Sequence, residues 1–352
     1  MKAASPVIRV IVTGGAGFIG VNLVRRLLDD GYEVLNFDKL TYAGNRGSLR
    51  DVENHPRYHF AHGDVADRER IGNVISEFNP DRIFHLAAES HVDRSIAEPL
   101  DFVKTNVLGT ACLLDAALEF WKQKNHDFRL IHLSTDEVFG SSSEGDTFDE
   151  KSRYQPNSPY SASKAGSDHM VRAWHKTYGL PTVVVNCSNN YGPYQYPEKL
   201  IPMVILAGIL GNPIPVYGTG ENVRDWLHVQ DHCKALVLIS ERGKVGSEYM
   251  IGGNSTIRNI DLVNDLLGIV EKVSSDYGLK IKGTDQLVKF VADRLGHDFR
   301  YAVDSGKLRS ELGWKPVVNF SDGLEATVRW YFENRVWWES IWDGSYRSDE
   351  FE

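Results

Sequence analysis

"VIRVIVTGGAGFIGVNLVRRLLDDG", Val7 to Gly31, sets the fold class of this chain. It opens as a short β-branched run ending at Gly14, the pattern of a buried strand. Beyond it, Ile19, Leu23, Leu27 and Leu28 recur at helical spacing until Gly31 stops the helix. Between the two, "VTGGAGFIG" holds overlapping glycine patterns: G-x-x-G-x-x-G at Gly14, Gly17 and Gly20, and G-x-G-x-x-G at Gly15, Gly17 and Gly20. In isolation such a pattern is weak and fits an ordinary tight turn. Placed between a strand and a helix, it lets backbone N–H groups and the helix N-terminus approach a pyrophosphate.

The alternation continues outward. "EVLNFD", "YHFAHGD", "RIFHLAA", "RLIHLST" and "TVVVNCS" read as strands, with helical patterns between them at Phe102 to Lys122 and Ser161 to Tyr178. Strands this apolar in repeated βα units predict an α/β fold, a Rossmann-type doubly wound parallel sheet covered by helices on both faces. After Cys187 the texture changes, and Gly, Pro and Asn cluster in "SNNYGPYQYPEKLIP" and "GNPIPVYGTGENVRDW". Residues 1–187 are expected to form the dinucleotide-binding domain, with 228–252 returning to it. Residues 188–352 are expected to form mainly a smaller C-terminal substrate-binding region with long loops. The tail "WYFENRVWWESIWDGSYRSDEFE" reads as a packed terminal helix with a frayed end.

The totals narrow the function. The chain has 352 residues, 42% hydrophobic and 25% charged, a soluble globular composition. A formal net charge of −9 disfavours general nucleic-acid or anionic-membrane binding, yet it permits a local basic pocket for a phosphate-bearing small molecule. The apolar run "MVILAGIL", Met203 to Leu210, is too short to span a bilayer, and no signal peptide is read at the N-terminus, so a cytoplasmic protein is expected. Cys112, Cys187 and Cys233 lie far apart with no C-x-x-C pair, as small buried side chains do in a reducing compartment. The 12 histidines show no compact ligand spacing, and no metal is expected.

Asp38 closes the second strand, where an acid accepts hydrogen bonds from a ribose 2′-hydroxyl and repels a 2′-phosphate. That favours NAD over NADP, although Lys39 beside it argues the other way. Asp64, in "GDV", either reaches the adenine amine or caps a helix. "YSASKAGSDHM" sets Tyr160 and Lys164 four residues apart, on one face of a helix. A neighbouring ammonium and a nicotinium ring would both favour the phenolate, making Tyr160 a usable base near neutrality. A surface pair is the competing account. The combination resembles the extended, sugar-nucleotide branch of the short-chain dehydrogenase/reductase superfamily. That resemblance implies that Tyr160 removes a hydroxyl proton while hydride leaves the same carbon for NAD. It also implies that Lys164 binds the nicotinamide ribose and that Thr135 hydrogen-bonds the reacting oxygen.

"LSTDEVFG", Leu133 to Gly140, ends an apolar run with two adjacent acids. Ser134 to Glu137 fits a capping box, S-x-x-E, which would explain Glu137 but not Asp136. Chemistry explains both. Oxidising a sugar at C4 acidifies its C5 proton, and a base at C5 with an acid at the C6 hydroxyl can then expel water. Two close carboxylates titrate as a pair, one protonated and one ionised, so Glu137 as base and Asp136 as acid suit a β-elimination.

"DKLTYAGN", "AAESHVDRSI", "STDEVFG", "YSASKA", "NNYGPYQYPEKLIP", "GENVRDWLHV" and "DRLGHDFRYAVD" together resemble the dTDP-glucose 4,6-dehydratase family, from about Ile8 to Leu324. The same acid and base assignments are what that resemblance implies. Phe139 and His228 stand where the family more usually has tyrosine. On the cofactor side the resulting candidates include Phe18, Ile19, Val65 and Ala87. For the nucleotide sugar, dTDP-glucose, a diphosphate needs cations and amide donors, and arginine is suited to it through bidentate hydrogen bonding. Arg224 and Arg294 come first, joined by Ser90, Asn190, Glu198, Lys199, Leu200, Asn259, His297 and Tyr301. Asp93 is a further candidate for shaping the sugar pocket, and Arg94 has a structural alternative. The resemblance also implies a homodimer, its interface a four-helix bundle from the Phe102–Lys122 and Ser161–Tyr178 helices of each subunit. Two rivals share parts of this pattern: a UDP-glucose dehydratase or nucleotide-sugar 4-epimerase on the same scaffold, and a catalytically idle NAD-binding sensor. An epimerase needs no acid–base pair at C5 and C6.

Overall fold

The computed structural model describes residues 7–124 and 127–342. The described strands are β1 (Arg9–Thr13), β2 (Glu33–Asp38), β3 (Tyr58–His62), β4 (Arg82–His85), β5 (Arg129–Thr135) and β6 (Thr182–Cys187), followed by β7 (Asn189–Tyr191), β8 (Ile214–Tyr217), β9 (Val223–His228), β10 (Glu248–Ile251), β11 (Thr256–Arg258) and β12 (Val288–Val291). Seven of them form one sheet in the order β10-β6-β5-β4-β1-β2-β3. Every neighbouring pair in it is parallel. This is the doubly wound sheet that the apolar βα units predict.

Both faces of that sheet are dry, and β1 shows why its sequence is apolar without a break. Val10 and Val12 enter one buried cluster, with Leu23 and Leu27 of helix Phe18–Asp29 and Leu236 and Ile239 of helix Val229–Arg242. Ile11, between them, enters the opposite cluster, with Ile71, Val74 and Leu113 from helices Arg68–Phe78 and Thr110–Gln123. Alternate side chains of one strand thus feed two cores. Truncating a residue such as Leu27, which is fully buried, would cost about 2–5 kcal/mol.

The chain order reverses between β1 and β4, so a crevice opens at the carboxyl ends of these strands. The end of β5 and helix Pro159–Tyr178 flank it. That helix starts on a capping box between Ser158 and Ser161, with Pro159 in its first turn, and stops at Gly179 in the left-handed conformation (φ 74°). Tyr160 is thereby fixed in the first turn and Lys164 one turn later.

The helix expected from Phe102 to Lys122 forms without a break, but not as a regular α-helix throughout. A short helix, Pro99–Phe102, runs into the wider turns of Val103–Gly109, and a regular helix resumes over Thr110–Gln123. The wider turns carry the buried Asn106, whose amide bridges Glu89 N (2.9 Å), Glu89 O (3.0 Å) and Ser163 Oγ (2.8 Å). Helical periodicity cannot register that local change, which serves the loop after β4.

A second apolar cluster lies beyond the sheet. Helices Leu200–Leu210, Asn259–Asp276 and Phe320–Glu333 pack there with β8, β9 and the aromatic side chains Tyr331 and Trp338. One late segment instead packs against the first core: Leu308, Leu312 and Trp314 join its cluster. Residues 343–352 of the tail lie outside the described residues.

His85, His132 and His232 are sealed in the interior, and burial pushes each toward the neutral ring. Burial lowers His132 to about 4 and His232 to about 3. His232 Nδ1 meets Asn190 Oδ1 at 2.8 Å, while its Nε2 is buried without a partner. A folded pKa below the unfolded value near 6.5 gives stability that is complete above pH 6.5 and is lost as pH falls toward the folded value. His232→Gln should therefore flatten the acid destabilisation below pH ~6.5 by up to about 1.4 kcal/mol per pH unit, measured by denaturant unfolding from pH 7 to 4.5. Contributions of opposite sign from buried acids are common to both proteins and cancel in the difference. Parallel stability curves for the two would contradict this assignment.

Candidate active site

The loop after β1 forms the floor of the crevice. Gly14 adopts φ 72°, and a Cβ there would meet the backbone of Ala87 at 2.7 Å. A Cβ on Gly20 would lie 2.2 Å from Gly14 O, so the helix could not approach the turn with any other residue. Gly17 differs: an added Cβ would meet nothing closer than Gly14 O at 3.4 Å, so the protein itself leaves that side open. Gly17 is also the N-cap of helix Phe18–Asp29 and makes no side-chain cap. An open cradle over a helix N-terminus fits a pyrophosphate.

A cavity of about 300 Å³ extends from this cradle. Of the cofactor-side candidates, Gly14, Gly17, Phe18, Ile19 and Gly20 line it from the first loop, and Asp38, Lys39, Asp64, Val65 and Ala87 from the next three strands. Asp38 accepts from Ala16 N (2.9 Å) and Leu40 N (2.8 Å), so two amides orient its carboxylate. Lys39 Nζ pairs with Asp64 Oδ2 at 2.8 Å. The pair offsets the charge that argued for a 2′-phosphate. Asp64 caps no helix, since the side chain of Asp67 caps Arg68–Phe78 and Asp64 Oδ1 accepts from Ala66 N instead.

At the far end lie Thr135, Asp136, Glu137, Tyr160 and Lys164. The Ser134–Glu137 capping box does not form. Thr135 is the cap of the single turn Asp136–Phe139, its Oγ1 accepting from Glu137 N at 3.2 Å. Ser134 Oγ is committed to Asp168 Oδ2 (2.7 Å). Asp136 is 1% exposed, and its Oδ2 has no hydrogen-bond partner among the described residues. Burial, and then Glu137, push its carboxyl well above the usual range. Burial also raises Glu137, but Arg224, Lys199 and Arg294 oppose that rise. The two acids are thus unequal: one is sealed, the other faces cations.

The protein's own groups around Tyr160 oppose its ionisation. Burial, with Glu137 adding to it, pushes its phenol well above the ordinary value, against a hydrogen bond from Thr135. Lys164 provides no relief because its Nζ donates to Leu133 O at 2.7 Å. The ammonium faces the end of β5 rather than the phenol. The His132–Asp168 pair (3.0 Å) lies behind the strand, buried with Tyr154 OH on Asp168 Oδ2 (2.8 Å).

A second cavity of about 160 Å³ adjoins the first. Ser90, Glu137, Asn190, Glu198 and Lys199 line both. Leu200, Arg224, Asn259, Arg294 and His297 line the second alone. Lys199 Nζ donates to Ser90 O (2.8 Å). Arg224 donates to Val223 O, Phe299 O and Asp298 O, which fixes its guanidinium plane. Arg294 is held by both oxygens of Asp93 (2.6 and 2.8 Å), and Arg94 stacks on Tyr42 outside both cavities. Tyr301 lines neither cavity. It lies under the Arg224 guanidinium at 4.2 Å with its hydroxyl on Asp298 Oδ2, and so supports the arginine.

Phe139 packs between Phe148 and Tyr154, a site with no use for a hydroxyl, and His228 Nδ1 caps helix Val229–Arg242. Sequence reasoning missed Gln195, which lines both cavities, and Trp226, which lines the second. Gln195 falls inside a quoted loop, but irregular backbone has no periodicity from which its direction can be read.

The chain has clear relatives of known family. A family model described as GDP-mannose 4,6 dehydratase matches residues 11–327. A dTDP-glucose 4,6-dehydratase of Escherichia coli is 48% identical, covering 97% of this chain and 98% of the relative. One from Neisseria meningitidis serogroup B is 50% identical over 96% of this chain and 97% of its own. The crystal structure of the dTDP-glucose 4,6-dehydratase DesIV of Streptomyces venezuelae, with NAD bound, superposes with a TM-score of 0.86 at 47% identity, covering 95% of this chain and all of that one. With its parallel sheet, open glycine cradle and paired acids, this chain belongs to the dTDP-glucose 4,6-dehydratase family.

Proposed function

We propose that this chain catalyses the NAD-dependent dehydration of dTDP-glucose to dTDP-4-keto-6-deoxyglucose. The observation that carries the reading is the unequal pair Asp136 and Glu137 where the cofactor cavity meets the cation-lined one. NAD, held by the glycine cradle, Asp38 and Lys164, would supply the hydride acceptor for C4 and the hydride donor for C6. The protein's residues do the rest. Tyr160 takes the C4 hydroxyl proton, and Thr135 hydrogen-bonds the same oxygen. Burial and Glu137 hold the phenol protonated, and a positive nicotinium ring beside it would favour its ionisation, the form in which it can take that proton. With C4 a ketone, Glu137 removes the C5 proton and Asp136 gives its proton to the departing C6 hydroxyl, so water leaves and a C5–C6 double bond forms. Lys164 holds the ribose beside β5.

Lys199, Arg224 and Arg294 hold the diphosphate, with Asn190, Asn259 and His297 supplying hydrogen bonds around it. Asp38 holds the adenosine ribose, and the Lys39–Asp64 pair supports NAD over NADP. Residues 1–187, with 228–252, carry the cofactor; 188–352 mainly carry the sugar nucleotide. An epimerase would need no sealed acid at position 136. Turnover of dTDP-glucose in deuterium oxide should give loss of water with deuterium at C5, read by mass spectrometry and NMR. An isomer with C5 unlabelled would establish the epimerase instead, and no reaction would leave only a binding protein.

The chain is a homodimer in this reading. Leu100, Val103 and Leu108 are 79%, 51% and 51% exposed along the stretch beside helix Pro159–Tyr178, a large apolar face for a monomer. Cys112, Cys187 and Cys233 are all free, in keeping with a cytoplasmic enzyme, and among the described residues no helix is long and apolar enough to cross a membrane. Sedimentation should give one species at twice the monomer mass, converted to monomer by Leu108→Glu. A wild-type monomer would contradict the dimer.

A further inference from the structure

The aromatic C-terminal segment has no part in the chemistry above, yet it reaches the loop that does. Helices Phe320–Glu333 and Arg335–Glu339 place Trp330, Tyr331 and Trp337 against residues 193–195. Tyr194 has φ 67°, a left-handed conformation that a bulky L-residue adopts only when its surroundings enforce it. The Trp330 ring lies 4.7 Å from the Tyr194 ring and the Trp337 ring 5.6 Å, edge-on. The Arg25 guanidinium covers it at 4.3 Å and donates to its hydroxyl at 3.0 Å. Trp337 Nε1 donates to Ser48 Oγ at 2.8 Å, anchoring the indole to the cofactor half.

The residues on either side of Tyr194 are held as well. Pro193 O accepts from Asn22 of helix Phe18–Asp29 at 3.0 Å. Gln195 O accepts from Tyr331 OH, a fully buried phenol. Gln195 then turns its side chain inward: its Nε2 donates to Asn190 O at 2.9 Å, and it lines both cavities. Tyr196, Glu198 and Lys199 follow on the same walls.

We propose that Trp330, Tyr331 and Trp337 clamp Tyr194 in its strained backbone conformation and thereby position Gln195, Glu198 and Lys199 for the nucleotide sugar. These aromatic residues touch no substrate; they are positioning residues. Arg25 and Asn22 belong to the helix that opens on the glycine cradle, so one clamp fixes the sugar loop relative to the cofactor half. The inference rests on the sugar-nucleotide reading of the second cavity.

The test is calorimetric titration of the NAD-loaded protein with dTDP, and of the protein with NAD, in wild type and in Tyr194→Gly, Trp337→Ala and Trp337→Phe. Glycine tolerates φ above zero, so Tyr194→Gly removes the ring without adding strain and keeps the fold. A loop freed from its clamp must be ordered on binding, so Tyr194→Gly and Trp337→Ala should bind dTDP at least about 10-fold more weakly. NAD affinity should stay within about threefold, and Trp337→Phe, which retains a ring, should recover most of the dTDP affinity. Unchanged dTDP affinity in Tyr194→Gly overturns the clamp, and so does a parallel loss of NAD affinity, the mark of general loosening. A wild type that binds no dTDP overturns the sugar-nucleotide reading and the clamp with it.

Discussion

Two adjacent carboxyl groups, both withdrawn from water but opposed by cations to different degrees, are the constraint on which the rest depends. Neither member of the pair is unusual alone. At the end of β5 their environments differ: Asp136 lines the first cavity alone, while Glu137 lines both and feels Arg224, Lys199 and Arg294. Burial disfavours the charged form of both, and three cations oppose it at Glu137, so Asp136 is the one pushed further toward its protonated form. Everything the elimination needs, an acid on one carbon and a base on its neighbour, follows from that asymmetry.

Much of this was legible in the sequence because it is periodic or local. Alternate residues of β1 feed two apolar cores, and the unbroken run of branched residues announces that directly. The glycine loop is legible because only glycine tolerates the 2.2 Å contact at Gly20. Tyr160 and Lys164 share a helix face by spacing alone. Direction is harder to read. That Lys164 turns to Leu133 O, that Thr135 rather than Ser134 caps the turn, and that Tyr301 supports Arg224 from outside the cavity depend on tertiary partners far away in sequence. The wide turns at Val103–Gly109 and the inward amide of Gln195 escaped for the same reason.

The first and second cavities adjoin, and their relative placement is enforced by packing. The 190–199 stretch is the clearest case. It leaves the sheet after β6, borders both cavities and is gripped from the cofactor side by Arg25 and Asn22 and from the far side by the C-terminal rings. Hydride transfer and elimination act on adjacent carbons of one sugar, and errors of about 1 Å in such placement cost orders of magnitude in rate.

The central claim is a statement about where one proton resides, and infrared difference spectroscopy of the carboxyl C=O stretch reads it directly. Near neutral pH, wild type minus Asp136→Asn should show a protonated-carboxyl band assigned to position 136, and wild type minus Glu137→Gln should show an ionised carboxylate at 137. The reverse pattern, or no protonated band lost on changing Asp136, would contradict the account.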